Sequence, residues 1–163
     1  IERIIQRHIF NKSDEYIQQM IDEMESRHRD RKNIQWDKRN IKEDIGGLRD
    51  IETILLIYKA KHRLSEPINQ KLMETICQKF PKHHDDLCTL AEIFNFFKNL
   101  RDLYHLTVTA EDYLNFEYLD RVAVIMGFND TATETAKQQL VAKYQKCTED
   151  VAQIIKRLVT NFN

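Results

Sequence analysis

Two adjacent glycines with basic neighbours form the stretch of this sequence best suited to chemistry. Gly46 and Gly47 stand where a helix is expected to begin, with Lys42 before them and Arg49 after them. Backbone N–H groups at a helix start, unobstructed by Cβ atoms, can contact phosphate oxygens, and the two cations add compensating charge. These four residues are therefore the candidate nucleotide or phosphate site.

The segment that leads into the glycine pair carries an excess of positive charge. Between positions 27 and 42, seven bases stand against the two acids Asp30 and Asp37. The bases are Arg27, Arg29, Arg31, Lys32, Lys38, Arg39 and Lys42. This local excess predicts a surface on which a polyanion docks. The alternative is a structural one, in which the glycines form a tight turn and the basic run is a solvated helix terminus.

A second group of polar residues is expected to support the candidate site. Arg101 and His105 stand four residues apart on one helix face, and Asp112 follows in the connector. Such a cluster usually fixes a connector by hydrogen bonds, and direct contact with a ligand is the alternative. Glu43 and Asp50, on either side of the glycines, complete this supporting set.

No metal site is predicted. A polar run after Pro81 could suggest metal ligands, but aspartates at such a place commonly open a helix, and the further ligands of a zinc site have no recognisable spacing. The run consists of His83, His84, Asp85 and Asp86. Three widely spread cysteines are expected to be reduced core thiols: Cys77, Cys88 and Cys147.

Apolar residues recur every three or four positions along most of the chain, which predicts helices almost from end to end. An amphipathic stretch comes first, at positions 1–9, and helices are then expected from Ser13, from Leu48 to Arg63, from Ser65 to about Phe80, from His84 to Thr107, from Phe116 to Met126, and beyond Thr131. Residues 33–47 lack a sustained period and are expected to form an ordered loop.

Several residues are expected to mark helix ends. Ser65 should open a short helix with Pro67 in its first turn, and Asn115 should cap the helix that follows it. Thr131 and Glu134 have the spacing of a capping box before the last helix.

Composition excludes several classes of protein. The 163 residues include 3 Gly and 2 Pro, too few for the turns of a sandwich, a barrel or a Rossmann sheet. The formal charge of -1 supplies no global attraction to nucleic acid, and no run reaches the ~18 apolar residues of a membrane span. We therefore expect no nucleic-acid or membrane partner and a cytoplasmic location.

The predicted fold class is all-α, an antiparallel bundle of about five to six helices. We expect one compact domain, with an N-terminal helical segment and basic loop at 1–39 and the bundle at 40–163. Because the chain begins with Ile1 rather than Met, it is expected to be part of a longer protein.

The glycine stretch resembles a known signature. Lys42-Glu43, followed by Gly46-Gly47-Leu48-Arg49-Asp50-Ile51, is similar to the Lys-Glu-x-x-Gly-Gly-Leu-Arg-Asp-Leu/Ile of the PII uridylyltransferase family. Glutamine synthetase adenylyltransferases carry a looser version. Further similar positions follow in the same order, and they include Phe96, Phe97, Leu100, Arg101, His105, Leu106, Asp112, Leu114, Phe116, Ala123, Gly127, Phe128, Tyr144, Val151 and Ala152. The resemblance spans positions 40–163.

The resemblance implies a role in nucleotidyl transfer from a nucleoside triphosphate to a protein hydroxyl. In the family, acidic residues of a neighbouring domain hold two magnesium ions, and their Gly-Ser and Asp-x-Asp pattern does not occur in this sequence. The chain is thus expected to contain no catalytic residues and no cofactor of its own, and to resemble the helical domain after the nucleotidyltransferase domain. There Lys42, Gly46, Gly47 and Arg49 would face the triphosphate or brace the catalytic loop.

The same resemblance implies partners for the chain, and it also has a gap. The partners are the upstream nucleotidyltransferase domain, a nucleoside triphosphate with Mg²⁺, and a PII-like acceptor protein. A Gly-Arg pair that is frequent in the family before the Asp is replaced here by Thr-Val-Thr-Ala-Glu at 107–111, so another acceptor is an alternative. A different class of function, a non-catalytic helical interaction module, also stays open.

Overall fold

Six α-helices dominate the part of the chain that the structure describes. The structure is a computed structural model that describes residues 9–31, 37–64, 66–68 and 70–160. The helices are α1 (Ser13–Asp30), α2 (Leu48–His62), α3 (Gln70–Lys79), α4 (His84–Thr107), α5 (Asp120–Ile125) and α6 (Ala136–Thr160). The all-α prediction is confirmed. None of these helices is long and apolar enough to cross a membrane.

The α2 helix is the centre of the core. Its residues are buried on most sides, and it packs against α1, α4 and α6. The buried apolar members are Leu48, Ile51, Ile54, Leu55, Ile57, Tyr58 and Ala60. The run from Ile54 to Tyr58 is apolar enough for a buried strand, but it lies within a helix of 15 residues. The helix ends at His62, because Arg63 turns into the left-handed region with φ 52°.

The two longest helices, α4 and α6, run antiparallel. Phe97 of α4 and Tyr144 of α6 have ring centroids 5.4 Å apart, and Asp86 at the start of α4 pairs with Arg157 near the end of α6 at 2.5 Å. The aromatic face of α4 is buried, and it includes Phe94, Phe97 and Tyr104. The apolar residues of α6 recur at nearly heptad spacing and are also buried: Leu140, Tyr144, Cys147, Val151, Ile154 and Leu158. This pair forms the second half of the core.

The α1 helix packs antiparallel on α2. Arg27 near its end contacts Asp50 in the first turn of α2, whereas Tyr16 near its start borders the same cavity as Leu56. The predicted amphipathic positions before Ile9 and the predicted cap at Ser65 lie outside the described residues.

Two of the predicted helix starts were wrong. Pro67 lies in a non-helical connector, where the Lys59 ammonium donates to the carbonyl of Glu66, and α3 begins only at Gln70. Asn115 does cap the Glu117 amide, at 3.0 Å, but the cap opens a single 3₁₀ turn and not a helix. The predicted helix from Phe116 is therefore divided, with α5 starting at Asp120.

The predicted capping box of the last helix was displaced by four residues. Thr131 accepts a hydrogen bond from the Glu134 amide at 3.0 Å, but this pair forms a turn before the helix. The reciprocal bonds of a capping box join Thr135 and Gln138, at 2.8 and 3.2 Å. Two Thr-x-x-acceptor patterns follow one another here, at 131–134 and 135–138, and the second one adjoins the apolar heptad.

A two-stranded antiparallel sheet was not predicted. Strand β1 (Lys38–Asn40) pairs with β2 (Tyr113–Asn115), with Arg39 opposite Leu114. The described part of the expected loop, positions 37–47, is thus paired with the connector after α4. Strands of three residues are too short to show an alternating apolar pattern, so no sequence pattern indicated them.

Both glycines of the pair lie in close backbone contacts, Gly46 with α6 and Gly47 with its own loop. Gly46 has φ 78°, and a Cβ atom on it would lie 2.1 Å from the carbonyl oxygen of Thr148. A Cβ atom on Gly47 would lie 2.8 Å from the carbonyl oxygens of Ile41 and Asp44. Only residues without a side chain allow the loop to approach α6 and its own backbone this closely.

Gly46→Ala is expected to destabilise the protein by at least about 3 kcal/mol. The new Cβ atom would displace the Thr148 carbonyl, and alanine would also have to adopt a strained positive φ. Gly127→Ala is the matched control, since Gly127 has φ 87° but no atom within 4 Å of a Cβ. Its cost should be about 1–2 kcal/mol, from the backbone alone. Urea unfolding of both variants measures the difference, and equal values would show that the close contact with α6 has no energetic weight.

Candidate functional site

Asp50 holds the glycine loop, α1 and α2 together. Its carboxylate is fully buried and accepts hydrogen bonds from Arg27 Nη2 at 2.5 Å, His28 Nε2 at 2.8 Å and the Gly46 amide at 2.8 Å. Glu43 lies farther out, with its Oε2 4.0 Å from Arg27 Nε. A buried carboxylate needs such partners, because an unpaired charge in the interior is strongly destabilising.

The backbone amides of the glycine loop are already used. The amides of residues 46–50 each donate to an acceptor in the protein, at 2.8–3.2 Å. The acceptors are the Asp50 carboxylate and the carbonyl oxygens of Asp44, Ile41, Lys42 and Gly47. The expectation of exposed amides was therefore wrong, because the loop folds back over the helix start. Any phosphate contact here falls to the side chains of Lys42 and Arg49.

Acids that follow the basic run neutralise part of its charge. Arg27 pairs with Asp50, and Arg31 Nη1 lies 3.6 Å from Asp44 Oδ1. Arg31 also donates to the Tyr113 hydroxyl at 3.1 Å. The acidic partners Asp44 and Asp50 follow position 42. A charge count over positions 27–42 therefore overstates the positive charge of this surface in the folded protein.

Asp44 is a buried carboxyl that fixes the entry to the loop. Its Oδ2 accepts the Asn40 amide at 2.8 Å, while the Asn40 side chain accepts the amides of Lys42 and Glu43. Burial raises the pKa of Asp44 above its ordinary value, although the Asn40 amide and the nearby Arg31 oppose this. The turn is thus closed by side-chain oxygens before α2 begins.

The structure brings Arg101, His105 and Asp112 together. Arg101 Nε lies 2.5 Å from Asp112 Oδ1, and His105 Nε2 lies 3.2 Å from the same oxygen but outside hydrogen-bonding geometry. Burial by itself raises the pKa of Asp112, but the hydrogen bond from Arg101 and the charges of Arg101, His105 and Lys42 lower it overall. Lys42 therefore lies near this cluster, next to the Ile41 amide that donates to the Asp112 carbonyl at 2.9 Å.

Arg49 belongs to a different group of side chains. Its side chain is 43% exposed, and its Nη2 lies 3.9 Å from Glu23 Oε1 of α1. It borders a cavity of about 250 Å³ that Glu52 and Thr53 also line. The two predicted cations are therefore not paired in one pocket, although their backbones are joined by the Arg49 amide to Lys42 carbonyl bond of 2.9 Å.

Sequence reasoning missed His28 and Asp44. The apolar stripe of α1 contains Ile17, Ile21 and Met24, and the next position of the same stripe is 28. That spacing was a usable signal that His28 points into the protein rather than into solvent. For Asp44 there was no such signal, because its burial depends on the fold of the loop.

The residues considered for metal binding do not form a centre. Among the described residues, no group of three or more His, Cys, Asp or Glu side chains could hold a metal ion. Asp86 instead pairs with Arg157 at the start of α4. Cys77 and Cys147 are buried as expected, whereas Cys88 is only half-buried, with its Sγ 3.7 Å from His84 Nε2.

Asp44 and Asp112 are expected to titrate on opposite sides of the ordinary aspartate pKa of 3.8. Asp112 should titrate below it and Asp44 above it, which NMR of the carboxyl carbons can measure. Folding lowers the pKa of Asp112, so the ionised carboxylate stabilises the folded protein. This stabilisation is complete above pH 3.8 and is lost as the pH falls through the lowered pKa of the folded state. Asp112→Asn should therefore destabilise the protein at neutral pH but not in strong acid. A midpoint for Asp112 above that of Asp44 would contradict the ion-pair geometry.

Comparisons with known proteins agree on one family. The family model described as GlnD PII-uridylyltransferase matches residues 15–159. Among curated proteins, a bifunctional uridylyltransferase/uridylyl-removing enzyme of Stutzerimonas stutzeri is 30% identical over 81% of this chain. Enzymes of the same name from Chromobacterium violaceum and Burkholderia mallei are 29% and 28% identical over 75% and 90% of it. No solved structure gives a significant match.

The chain spans between 14% and 17% of the length of these relatives. The matched residues include α1, the glycine loop, the Arg101–Asp112 cluster and most of α6. This chain belongs to the PII-uridylyltransferase family.

Proposed function

We propose that this chain is the helical domain that packs beside the nucleotidyltransferase domain of a longer, uridylyltransferase-like protein. In that role it supplies contacts to a nucleoside triphosphate or to a PII-like acceptor protein, while the catalytic carboxylates lie outside it. The observation that carries the proposal is the position of Lys42, half-buried beside Arg101 and His105, where one carboxylate, Asp112, faces three basic groups. Such a local positive excess suits a phosphate group.

Lys42 is the strongest candidate for direct phosphate contact. Among the described residues, Lys42 forms no ion pair within 4.0 Å, whereas Arg101 is held by Asp112. Arg101 would then act mainly by keeping the connector in place, and Lys42 would contribute the mobile charge. Arg49, on the other side of the loop, is exposed enough to contact a second anionic group or the catalytic loop of the neighbouring domain.

Two acids of the candidate site, Asp50 and Asp112, do not suit the magnesium ions that the family reaction uses. Asp50 already accepts three hydrogen-bond donors, and Asp112 is held by Arg101. Mg²⁺ requires open carboxylate oxygens, so its ligands are expected in the neighbouring domain. When bound there, the ions would polarise the triphosphate, and this chain would position and neutralise its outer oxygens.

An apolar surface supports packing against another domain. At the ends of α4 and α5, Leu106 is 82% exposed, Val124 62% and Ile125 49%. Leu106 and Ile125 also border a cavity of about 390 Å³ together with Leu103 and Met126. A group of large exposed apolar side chains of this kind is typical of an interaction surface. The alternative of a basic strip that docks an acidic protein has less support, because Arg27 and Arg31 bind internal acids.

Lys42→Ala in the longer protein is expected to lower the rate of nucleotidyl transfer at least about tenfold, because one charge-assisted phosphate contact is lost. Arg49→Ala should lower it less, since the Arg49 side chain is 43% exposed and lies 3.9 Å from Glu23. Lys38→Ala is the matched control, because Lys38 is an exposed lysine of β1 outside the cluster. Steady-state kinetics with varied nucleotide concentration measure the effect. Wild-type rates in both the Lys42 and the Arg49 variants would show that the assigned site is wrong.

Leu106→Lys is expected to reduce transfer by the longer protein and to expose the domain junction to limited proteolysis, because a charge would enter an apolar contact. In the isolated chain the same change should leave the free energy of unfolding nearly unchanged, since Leu106 is 82% exposed. Leu106→Met preserves the apolar surface and serves as the control. If the lysine variant behaves like the methionine variant in the longer protein, this face does not pack against the other domain.

A further inference from the structure

A cavity far along the chain from the candidate site collects basic side chains from three elements. It has a volume of about 300 Å³ and lies where the end of α2, the end of α3 and the turn before α4 meet. Three lysines line it: Lys61 of α2, Lys79 of α3 and Lys82 of the turn. The histidines His62 and His83 complete the basic lining.

Among the described residues, no acidic side chain lines this cavity. Burial raises the pKa of the Tyr58 hydroxyl, and the charge of Asp86 in the first turn of α4 raises it further. However, Asp86 is bound to Arg157 at 2.5 Å and is largely neutralised by that pair. Asp85 beside it is exposed to solvent.

His62 responds to this charge. Burial lowers the pKa of His62, and the charges of Lys61 and Lys79 lower it further. Both effects disfavour the protonated imidazole. An anion in the cavity would reverse that effect, because it would favour the protonated imidazole.

Fixed aromatic rings form the wall of the cavity. The rings of His62 and Phe80 have centroids 4.1 Å apart, and Tyr58 meets Phe80 edge to face at 5.1 Å. These contacts hold the wall in place, while Lys79 and Lys82 stand exposed at the opening. The volume is at the small end of the range for ligand pockets, which suits a phosphate or diphosphate group.

We propose that the cavity formed by His62, Lys79, Phe80 and Lys82 binds the phosphate group of a small phosphorylated molecule. This site is distinct from Lys42 and Arg49, and it does not depend on the function proposed above. Free diphosphate and a nucleotide share the chemistry that would be recognised, and a direct comparison separates them.

The test is an NMR titration of the His62 ring in this chain, with sodium diphosphate as the probe and sodium chloride at the same ionic strength as the reference. Diphosphate is expected to shift the His62 midpoint to higher pH with millimolar or tighter affinity, while chloride leaves it unchanged. An equal response to both salts would mean general screening of charge and would overturn the proposal.

Variants locate the site. Lys79→Gln with Lys82→Gln should weaken diphosphate binding at least about tenfold. Lys146→Gln, in an exposed part of α6, is the matched control and should bind as the wild type does. Thermal unfolding of each variant checks that the exposed substitutions leave the fold intact. Unchanged binding by the double variant would overturn the proposal.

A third comparison uses UTP without magnesium in place of diphosphate. Equal affinity would show that only the phosphate groups are recognised, and tighter binding of UTP would add a contact to the aromatic wall, so both results support the site. If Lys42→Ala removes the His62 response, the anion binds at the other site and the inference fails. Loss of nucleotidyl transfer in the Lys42→Ala variant would support the Lys42 site and would not affect the proposal for the His62 cavity. The two proposals can therefore fail independently.

Discussion

The buried carboxylate of Asp50 is the constraint on which the rest of the site depends. It belongs to the first turn of the central helix, yet its partners come from α1 and from the glycine loop. A charge in the interior is tolerated only with such a complete set of donors, so the three elements are held in one arrangement. The loop that carries Lys42 consequently has a fixed position, although it contains little regular structure.

This constraint changes how the glycine pair is understood. A phosphate loop of the usual kind offers free amides to its ligand, but here the amides of residues 46–50 are bound within the protein. The glycines allow close packing instead, Gly46 on α6 and Gly47 on the loop itself. What the loop presents outward are the side chains of Lys42 and Arg49, and each of them has a different set of neighbours.

The sequence predicted the helices well because helical periodicity is a local property. The stripe of α4 and the heptad of α6 are visible in windows of a few turns, and both proved to be core. Helix starts were less predictable, since Thr131 and Thr135 have similar local patterns and only packing selects between them. The partners of Asp50 and the approach of Gly46 to Thr148 join residues far apart in sequence, and no local pattern encodes them. The proximity of Arg101, His105 and Asp112 was foreseeable because all three lie in one helix and the connector that follows it.

Because Gly46 lies against the Thr148 carbonyl, the position of the loop depends on the position of α6 along its own axis. A helix advances about 1.5 Å per residue along its axis. A slide of α6 by even one residue would replace that carbonyl with a different part of the helix surface, and the loop could no longer rest there. The loop and the last helix are therefore mechanically coupled, and any displacement of α6 along its own axis would be transmitted to the lysine that the loop carries.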